Sequence, residues 1–554
     1  MHRTPISAAM TIAHPAGFRG VFRTDDLARA VYSEGAGVAQ IIPLAVAVPV
    51  DADDVAALVR WAAESRTPLV PRGSGSSMAN GAVGPGVVVD LGRLDHFVGY
   101  ANGVSRLEVG SAVTRDQLQQ AVLQHGLSFP VDPSSSAFAT IGGMCATHAA
   151  GSRTPRYGPL RDWISALECV FADGTRAWLR RGEPAPGNAP VQRFLADVAP
   201  QVMAADPRLL RHEGVRKESS GYALAAFATS GEVIDLIIGS EGTLACIVAV
   251  EVRLTPMPSA TASLLAGFTD LEGAAATAVQ LTALGASAVE LLDRSFLEIA
   301  AGEGHSVPLP TGLEAVLIVE TELSARDDPA LRVAELLRCC ESGGAVHVET
   351  ALSEGEESRL WQLRHAASPI LNRLAPRLQS LQLVEDGCVP PARFAEYVRG
   401  VRSALAEARI RGVIFGHAGD AHAHVNALVD TTEPGWRAHC AQLLEAVTAL
   451  VARLGGTLSG EHGDGRLRTP LLARTWSGEA LRLFAATKVA FDPAGILNPG
   501  VKVALRDARP FDAIKYDPAL TPLPAAAREA LDLVVREKAW SRHRLDLLPP
   551  HLKK

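Results

Sequence analysis

Two short segments of the chain concentrate side chains that can bind metals or move protons. Residues 415–426 read Phe-Gly-His-Ala-Gly-Asp-Ala-His-Ala-His-Val-Asn, and residues 455–465 contain the sequence Gly-Glu-His-Gly. Imidazole nitrogens combined with a carboxylate oxygen suit Zn²⁺ or Mn²⁺. For any one histidine a structural role is the better interpretation. Taken together, His417, His424 and Glu461 predict a site for a divalent metal, Zn or Mn.

Glycine- and serine-rich turns form a second group of candidate binding residues. Pro71–Ser77 reads Pro-Arg-Gly-Ser-Gly-Ser-Ser after a predicted strand, and residues 132–143 add Asp-Pro-Ser-Ser-Ser and Thr-Ile-Gly-Gly. Small residues allow backbone N–H groups to approach a pyrophosphate. The first turn is neither a Walker A loop nor a G-x-G-x-x-G fingerprint, and alone it is equally compatible with a flexible loop. Two such turns suit an extended ligand lying between two subdomains.

Four ordered motifs resemble the vanillyl-alcohol-oxidase-type (PCMH-type) FAD-binding family. They are Pro71–Ser77, Ala139–Gly143, Arg156–Gly158 and Gly239–Leu244. Within that family they are similar to the branch of D-lactate dehydrogenase, glycolate oxidase and D-2-hydroxyglutarate dehydrogenase. The resemblance runs from about residue 37 to about residue 502 and implies an FAD-dependent oxidoreductase.

The resemblance implies which residues hold FAD. The pyrophosphate would lie on residues 72–77 and 142–143. Relatives with covalent flavin carry a histidine near the position of Ser76, so non-covalent FAD is expected here. The residues implied to line the cofactor are Arg72, Gly73, Ser74, Gly75, Ser76, Ser77, Pro133, Ser134, Thr140, Gly142, Gly143, Tyr157, Gly158, Glu241, Gly242, Ile247 and Asn498.

The same resemblance implies the chemistry. The two histidine-bearing segments resemble the family motifs Gly-His-x-Gly-Asp-Gly-Asn-Leu-His and Gly-Glu-His-Gly, which places the metal on His417, His424 and Glu461. His462 would be the general base beside the flavin, near its working pKa. Arg364, in a Trp-x-x-Arg motif, would clamp the substrate carboxylate. The expected reaction converts a D-2-hydroxy acid (D-lactate, D-2-hydroxyglutarate or glycolate type) to the 2-oxo acid, with hydride passing to flavin N5. An external acceptor would then reoxidise the flavin: a quinone, a cytochrome, another flavoprotein or oxygen.

Three departures from the family pattern leave the substrate open. Ala421-His422-Ala423 stands where the family has Gly-Asn-Leu, and Asp464 replaces an apolar residue. Asp464 and Arg466 are more typical of long dehydrogenases that carry an iron–sulfur domain. The seven cysteines are scattered, so neither a cluster nor a zinc ribbon is expected. An alcohol or sugar-lactone oxidase and a flavin electron-transfer subunit remain alternatives.

Bulk properties exclude other classes. The 554 residues carry a net charge of -7 and 5% aromatic residues, which argues against a nucleic-acid partner. Met1–Gly20 lacks the pattern of a signal peptide, and no apolar run is long enough to span a bilayer. A cytoplasmic protein is expected, and a peripheral contact with the inner face of the membrane stays open.

The elements that must position these residues indicate an α+β fold. We predict a two-lobed FAD-binding domain over 37–256, a ferredoxin-like α+β cap over 257–485, and a C-terminal segment over 486–554 that returns to the FAD domain and continues as an extended arm with one basic helix. Residues 1–36 lack a periodic pattern and are expected to be irregular. The expected cap strands are 261–268, 286–292, 315–321 and 344–350, with helices at 272–284 and 328–340.

Overall fold

A computed structural model of the chain describes residues 12–97, 105–302, 309–365 and 377–552. Two small β-sheet lobes are followed by a larger sheet with helices, and the C-terminal segment packs back on the lobes. Among the helices in these ranges, none is long and apolar enough to cross a membrane.

The first lobe is a mostly parallel sheet with two helices. Its elements are β1 (Val21–Arg23), α1 (Asp26–Val31), β2 (Ala45–Val48), α2 (Ala52–Ser65), β3 (Leu69–Arg72) and β4 (Val87–Asp90). The strand order is β1-β2-β4-β3, with β2 and β3 parallel to β4. Every residue of β2 and β4 is buried, as is usual for parallel strands. Loops leaving the ends of β3 and β4 therefore start from a rigid base.

The second lobe is an antiparallel sheet of order β5-β9-β7-β8, flanked by short helices. Its elements are β5 (Arg106–Gly110), α3 (Arg115–Leu123), β6 (Leu127–Ser128), α4 (Ile141–Thr147), α5 (Thr154–Tyr157), β7 (Ile164–Phe171), β8 (Arg176–Arg180), α6 (Ala189–Arg193), α7 (Ala199–Ala204), α8 (Leu224–Ser230), α9 (Ile234–Ile237), β9 (Ala245–Arg253) and β10 (Thr255–Pro256). The hairpin of β7 and β8 turns at Asp173-Gly174, where Gly174 has φ +76°. This lobe places α4 opposite the loop that follows β3.

The cap sheet contains the histidine-bearing strand. Its elements are β11 (Ala260–Phe268), α10 (Leu271–Ala283), β12 (Ala288–Asp293), α11 (Arg294–Gly302), β13 (Ala315–Leu323), α12 (Pro329–Ser342), β14 (Ala345–Ala351), α13 (Glu354–His365), β15 (Leu378–Leu381), β16 (Gly387–Cys388), α14 (Phe394–Glu407), β17 (Arg411–Gly416), β18 (His422–Asp430) and α15 (Trp436–Arg453). The order is β14-β11-β13-β12-β17-β18-β15, and β16 pairs with β18. The first four strands with α10 and α12 form the β-α-β-β-α-β arrangement that the sequence predicts.

The C-terminal segment packs on the first two lobes. The chain after α15 contains the helices α16 (Gly465–Arg468), α17 (Gly478–Phe491) and α18 (Ala525–Glu537), of which α17 ends and α18 lies within the predicted segment 486–554. Phe491 of α17 packs on Phe171 of the second lobe, and Ile496 accepts a backbone hydrogen bond from Leu69 of the first. These contacts bring the segment back to the lobes.

The predicted α+β fold class is confirmed, and two local expectations are wrong. Residues 12–36 contain β1 and α1, because Asp25 caps α1 and Val21–Arg23 pairs with β2. The C-terminal helix is not basic: Ala525–Glu537 carries three acidic residues and two arginines. Short elements at chain ends leave too weak a pattern in the sequence to be recognised.

Candidate active site

A cleft opens between the two β-sheet lobes, with about 1170 Å³ of space including the part open to solvent. Its walls are the loop after β3, the residues around the start of α4, and the residues that lead into β9. Glu461 and His462 line it as well. Of the residues implied to hold FAD, those that line this cleft are Arg72, Gly73, Ser74, Gly75, Ser76, Ser77, Pro133, Ser134, Thr140, Gly142, Gly143, Glu241, Gly242 and Ile247.

The two glycine turns approach each other so closely that a side chain would not fit. A Cβ atom on Gly73 of the first turn would lie 2.4 Å from Thr140 Oγ1 of the second. Gly142 packs equally closely on Ser111, which follows β5, since a Cβ atom there would lie 2.5 Å from the Ser111 Cβ. Thr140 caps α4, since its Oγ1 accepts from the Gly143 N–H at 3.2 Å. The turns thus form a narrow backbone-lined cradle, which fits the pyrophosphate of an extended dinucleotide such as FAD.

Three of the implied cofactor residues do not line the cleft. The Tyr157 hydroxyl donates to Glu322 of the cap, and Gly158 follows it at φ +72°. Asn498 is buried behind the cradle, where its Nδ2 donates to the carbonyls of Gly81 at 3.1 Å and of Glu241 at 2.8 Å. Asn498 therefore joins two walls of the cleft, and Tyr157 joins the second lobe to the cap.

The predicted metal ligands lie together, and one of them, Glu461, also lines the cleft. His417 Nε2, His424 Nε2 and Glu461 Oε1 form a triangle whose three sides are each 3.4 Å. Tetrahedral Zn²⁺ with bonds of about 2.0–2.1 Å separates its ligand atoms by roughly 3.3–3.4 Å. The donor set and its spacing therefore fit a divalent cation.

Hydrogen bonds behind the triangle orient both imidazoles. His417 Nδ1 lies 2.5 Å from Glu290 Oε1, and His424 Nδ1 lies 3.0 Å from the backbone carbonyl of Glu385. Both acceptors assign the proton to Nδ1, which leaves Nε2 with its lone pair toward the triangle. Glu290 belongs to none of the motifs above, but it is a charged residue inside the largely apolar strand Ala288–Asp293, which is a sequence signal of a paired functional group.

A buried lysine holds the carboxylate of the triangle. Lys217 Nζ donates to Glu461 Oε2 at 3.1 Å, to the Gly151 carbonyl at 2.8 Å, and lies 3.3 Å from Asp420 Oδ2. Burial disfavours its charge, but these carboxylates raise the pKa of Lys217 above its ordinary value. Although burial alone would raise it, Lys217 and His417 hold the pKa of Glu461 well below its usual range. Lys217 lies about two hundred residues from the histidines, and nothing in its local sequence identified it.

His462 forms a dyad with a buried carboxylate. Its Nδ1 lies 2.7 Å from Glu385 Oε2, its Nε2 lies 3.6 Å from Glu461 Oε1, and its ring stacks on His424. Burial would lower the pKa of His462, but Glu385 and Asp386 raise it to about 10. With these neighbours alone, the pKa of His462 therefore lies above the near-neutral value expected for a general base. The dyad fixes the ring where it lines the cleft.

Arg364 lies behind the triangle, where it shares a carboxylate with His417. Its Nε donates to Glu290 Oε2 at 2.6 Å, and its guanidinium lies over the Phe415 ring at 4.8 Å. Burial opposes the charge of Glu290, but His417 and Arg364 lower the pKa of this carboxyl. Through Glu290, the guanidinium is thus linked to the ring that bears one nitrogen of the triangle. Arg364 is not among the residues that line the cleft, and its role as a carboxylate clamp stays a prediction.

The two residues that depart from the family pattern have distinct surroundings. His422 Nε2 donates to Asp386 Oδ1 at 2.9 Å, and its buried Nδ1 has no hydrogen-bond partner among the described residues and lies 3.9 Å from Glu461 Oε2. Burial lowers the pKa of His422 to about 4. Asp464 instead accepts from Lys502 Nζ at 3.0 Å and from the Gly221 N–H at 2.7 Å. His422 therefore borders the triangle of His417, His424 and Glu461. Asp464 instead anchors the loop that carries Glu461.

Comparisons with known proteins show the family to which the chain belongs. A family model described as FAD binding domain matches residues 43–180, and one described as FAD linked oxidases, C-terminal domain, matches residues 257–501. The chain is 30% identical to the glycolate oxidase subunit GlcD of Bacillus subtilis over 88% of this chain and 95% of that protein. The chain belongs to the FAD-linked oxidase family. The predicted family and branch are confirmed, and this FAD-linked oxidase is an FAD-dependent oxidoreductase.

Further relatives of this FAD-linked oxidase lie in the same branch. The D-lactate dehydrogenase of Archaeoglobus fulgidus is 30% identical over 82% of this chain and 90% of that protein. The D-2-hydroxyglutarate dehydrogenase of Pseudomonas putida is 29% identical over 95% of this chain, which spans only 54% of that longer protein. Among solved structures, 4-ethylphenol oxidase from Gulosibacter chungangensis shares the fold, with a TM-score of 0.64 and 17% identity over 88% of this chain and 94% of that one.

Proposed function

We propose that this FAD-linked oxidase oxidises a D-2-hydroxy acid of the D-lactate, D-2-hydroxyglutarate or glycolate type to the 2-oxo acid. One observation carries the proposal: Glu461 and His462 line the FAD cleft, and Glu461 also completes the triangle with His417 and His424. A candidate base, candidate metal ligands and the candidate flavin site therefore share one wall. The named relatives support this substrate class.

The cofactors and the residues of the site would have distinct roles in this reaction. When bound, FAD would accept a hydride at N5, and a divalent cation would polarise the substrate hydroxyl and favour neutral His462 by its charge. His462, held by Glu385, would take the hydroxyl proton. Arg364 would bind the substrate carboxylate with guanidinium N–H groups other than the Nε–H that donates to Glu290. The substrate α-carbon must then face the cleft, which selects one enantiomer.

The cofactors follow from the same residues. His417, His424 and Glu461 would hold the cation, Zn²⁺ or Mn²⁺. Ser76 lines the cleft where covalent relatives carry a histidine, so FAD would be non-covalent. The electron acceptor would be external (a quinone, a cytochrome, another flavoprotein or oxygen), and a cytoplasmic location stays a prediction.

Anaerobic reduction of the flavin tests the substrate class. The enzyme is mixed with D- and L-lactate, D- and L-2-hydroxyglutarate, glycolate, D-malate and a neutral sugar lactone, and flavin absorbance is followed. Bleaching by D-2-hydroxy acids or glycolate, and not by the L enantiomers, is expected. Bleaching by the lactone alone would replace this proposal with the alcohol or sugar-lactone oxidase. His462→Ala, which should bind FAD but bleach at least a hundredfold more slowly, is the matched control.

A further inference from the structure

The C-terminal arm, residues 503–552, contacts both glycine turns of the FAD cradle from outside the cleft. Arg544 Nη2 donates to the Ser74 carbonyl at 3.1 Å, and Trp540 lies 6.3 Å from the Phe138 ring in the second turn. The arm is anchored to the first lobe, where Ala527, Ala530 and Leu548 pack with β2, β3 and β4. It lies beyond residue 501, where the match to the family model ends.

Two buried guanidinium groups lie under the first turn. Arg72 and Arg544 are each 2% exposed. A Cβ atom on Gly75 would lie 2.3 Å from Arg72 Nη2, which places that guanidinium directly beneath the turn. Arg72 donates to the carbonyls of Tyr32, Glu34 and Ala82, so its hydrogen bonds go to neutral groups.

Arg544 is also bound by neutral groups. Apart from Ser74, it donates to the carbonyls of Ala539, Trp540 and Arg542, and its buried Nε has no hydrogen-bond partner among the described residues. Burial first, and the charge of Arg72 second, lower the pKa of Arg544 to about 9. Two like charges thus lie close together in a buried place, an arrangement that costs free energy unless an anion compensates it.

The acidic group whose charge acts on both arginines is already shared. Asp90 accepts from the Tyr32 hydroxyl and lies 3.7 Å from His543 Nδ1. The other groups that face the pair are Tyr32 and His543, neither of which supplies a negative charge at neutral pH. The region under the turn therefore retains net positive charge.

The turn itself is held by its carbonyls. Those of Ser74, Gly75 and Ser77 accept from Arg544, Ala36 and Gly37 respectively. In a trans peptide the next N–H points opposite to the carbonyl, so the N–H groups of residues 75, 76 and 78 point away from these donors. An anion on the cleft side would meet those N–H groups and the positive charge behind them.

We propose that the C-terminal arm is part of the FAD site, with Arg544 and Arg72 together compensating the pyrophosphate charge and Arg544 aiming the first turn at it. This rests on the proposed placement of the pyrophosphate over residues 72–77, and not on the oxidation of a hydroxy acid. Arg544 is a positioning residue, since it acts through the turn and its field.

Binding of FAD and of ADP to the apoprotein tests the proposal. ADP carries the pyrophosphate without the flavin. Arg544→Gln removes the charge, Arg544→Lys keeps it, and Arg536→Gln removes an exposed arginine of the same arm as the control. We expect Arg544→Gln to weaken both ligands by about tenfold or more, the scale of one lost charge-assisted contact, and Arg544→Lys to lose clearly less.

Thermal melting of the apoproteins separates this role from a purely structural one. If the charge acts on the ligand, the Gln and Lys variants should differ in FAD and ADP affinity while their apoproteins melt within a few degrees of each other. Two outcomes would overturn the proposal. In the first, Arg544→Gln and Arg544→Lys lose the same affinity for FAD and ADP. In the second, the affinities of Arg544→Gln lie within twofold of those of the control Arg536→Gln. These readouts use no hydroxy acid, so failure of the substrate panel leaves them intact.

Discussion

At the scale of single residues, Glu461 depends on Lys217. One carboxylate oxygen faces both histidines of the triangle, and the other accepts from Lys217 at 3.1 Å. Removing the ammonium in Lys217→Met should free Glu461 to rotate and lower metal affinity by roughly 10–100-fold, the range for residues behind a metal ligand. The measurement is competition with a chelator, read by elemental analysis.

The control for this variant is Lys538→Met, because Lys538 is exposed at the end of α18. Both proteins should bind FAD as the parent does, and circular dichroism should show that both are folded. A folded Lys217→Met protein with the parent's metal affinity would show that Lys217 serves the packing around Gly151 and Asp420 instead.

His462 is a second residue whose role can be tested separately from the roles of its neighbours. It touches the cleft but is not part of the triangle of 3.4 Å sides, so His462→Ala should keep metal and FAD. Turnover should fall by roughly two to four orders of magnitude, the usual contribution of a general base. Steady-state kinetics with metal and flavin content per chain checks this. Loss of metal together with turnover would place His462 among the ligands.

At the scale of elements, the sequence predicts what lies within one element. Period-two alternation places His422 and His424 on one face of β18, and both are buried beside Glu461. The partners that orient them come from a distant segment: Asp386 binds His422, the Glu385 carbonyl binds His424, and both precede β16. Their contacts depend on strand order and on packing of the cap sheet, which local patterns do not encode.

Helix α4 gives a prediction at this scale, because its cap also shapes the cradle. Thr140→Ala removes the acceptor for the Gly143 N–H and should cost about 0.5–2 kcal/mol of stability. It should also weaken FAD binding, since Thr140 Oγ1 fills the space beside Gly73. Ser477→Ala removes an equivalent cap from α17, away from the cleft, and should cost similar stability without affecting FAD.

Thermal unfolding of the apoproteins and titration with FAD measure the two effects separately. Thr140→Ser keeps the hydroxyl and should restore both. If Thr140→Ala and Ser477→Ala bind FAD equally well, the cap of α4 has no part in shaping the cradle.

At the scale of the whole molecule, the cofactor cradle and the metal triangle belong to different parts of the chain. The cradle is built from the two lobes, and two triangle ligands come from the cap sheet. Glu241 joins the parts: it lines the cleft and accepts from the Asp464 and Gly465 N–H groups, at 2.7 and 3.0 Å, in the loop that bears Glu461. Because these bonds involve no metal ligand side chain, the cleft should keep its shape when the cation is removed.

Removing the metal from the intact enzyme should therefore abolish turnover and leave FAD bound. The enzyme is dialysed against a chelator, and metal content, flavin absorbance per chain and activity are measured on the same sample. Activity should fall with the metal and return on adding Zn²⁺ or Mn²⁺, because either ion accepts nitrogen and carboxylate ligands. Full activity without metal would refute the triangle as a functional site. Loss of FAD in proportion to metal would show that the cradle depends on the cation, contrary to the anchoring of the Glu461 loop by Glu241 and Lys502, which involves no metal ligand.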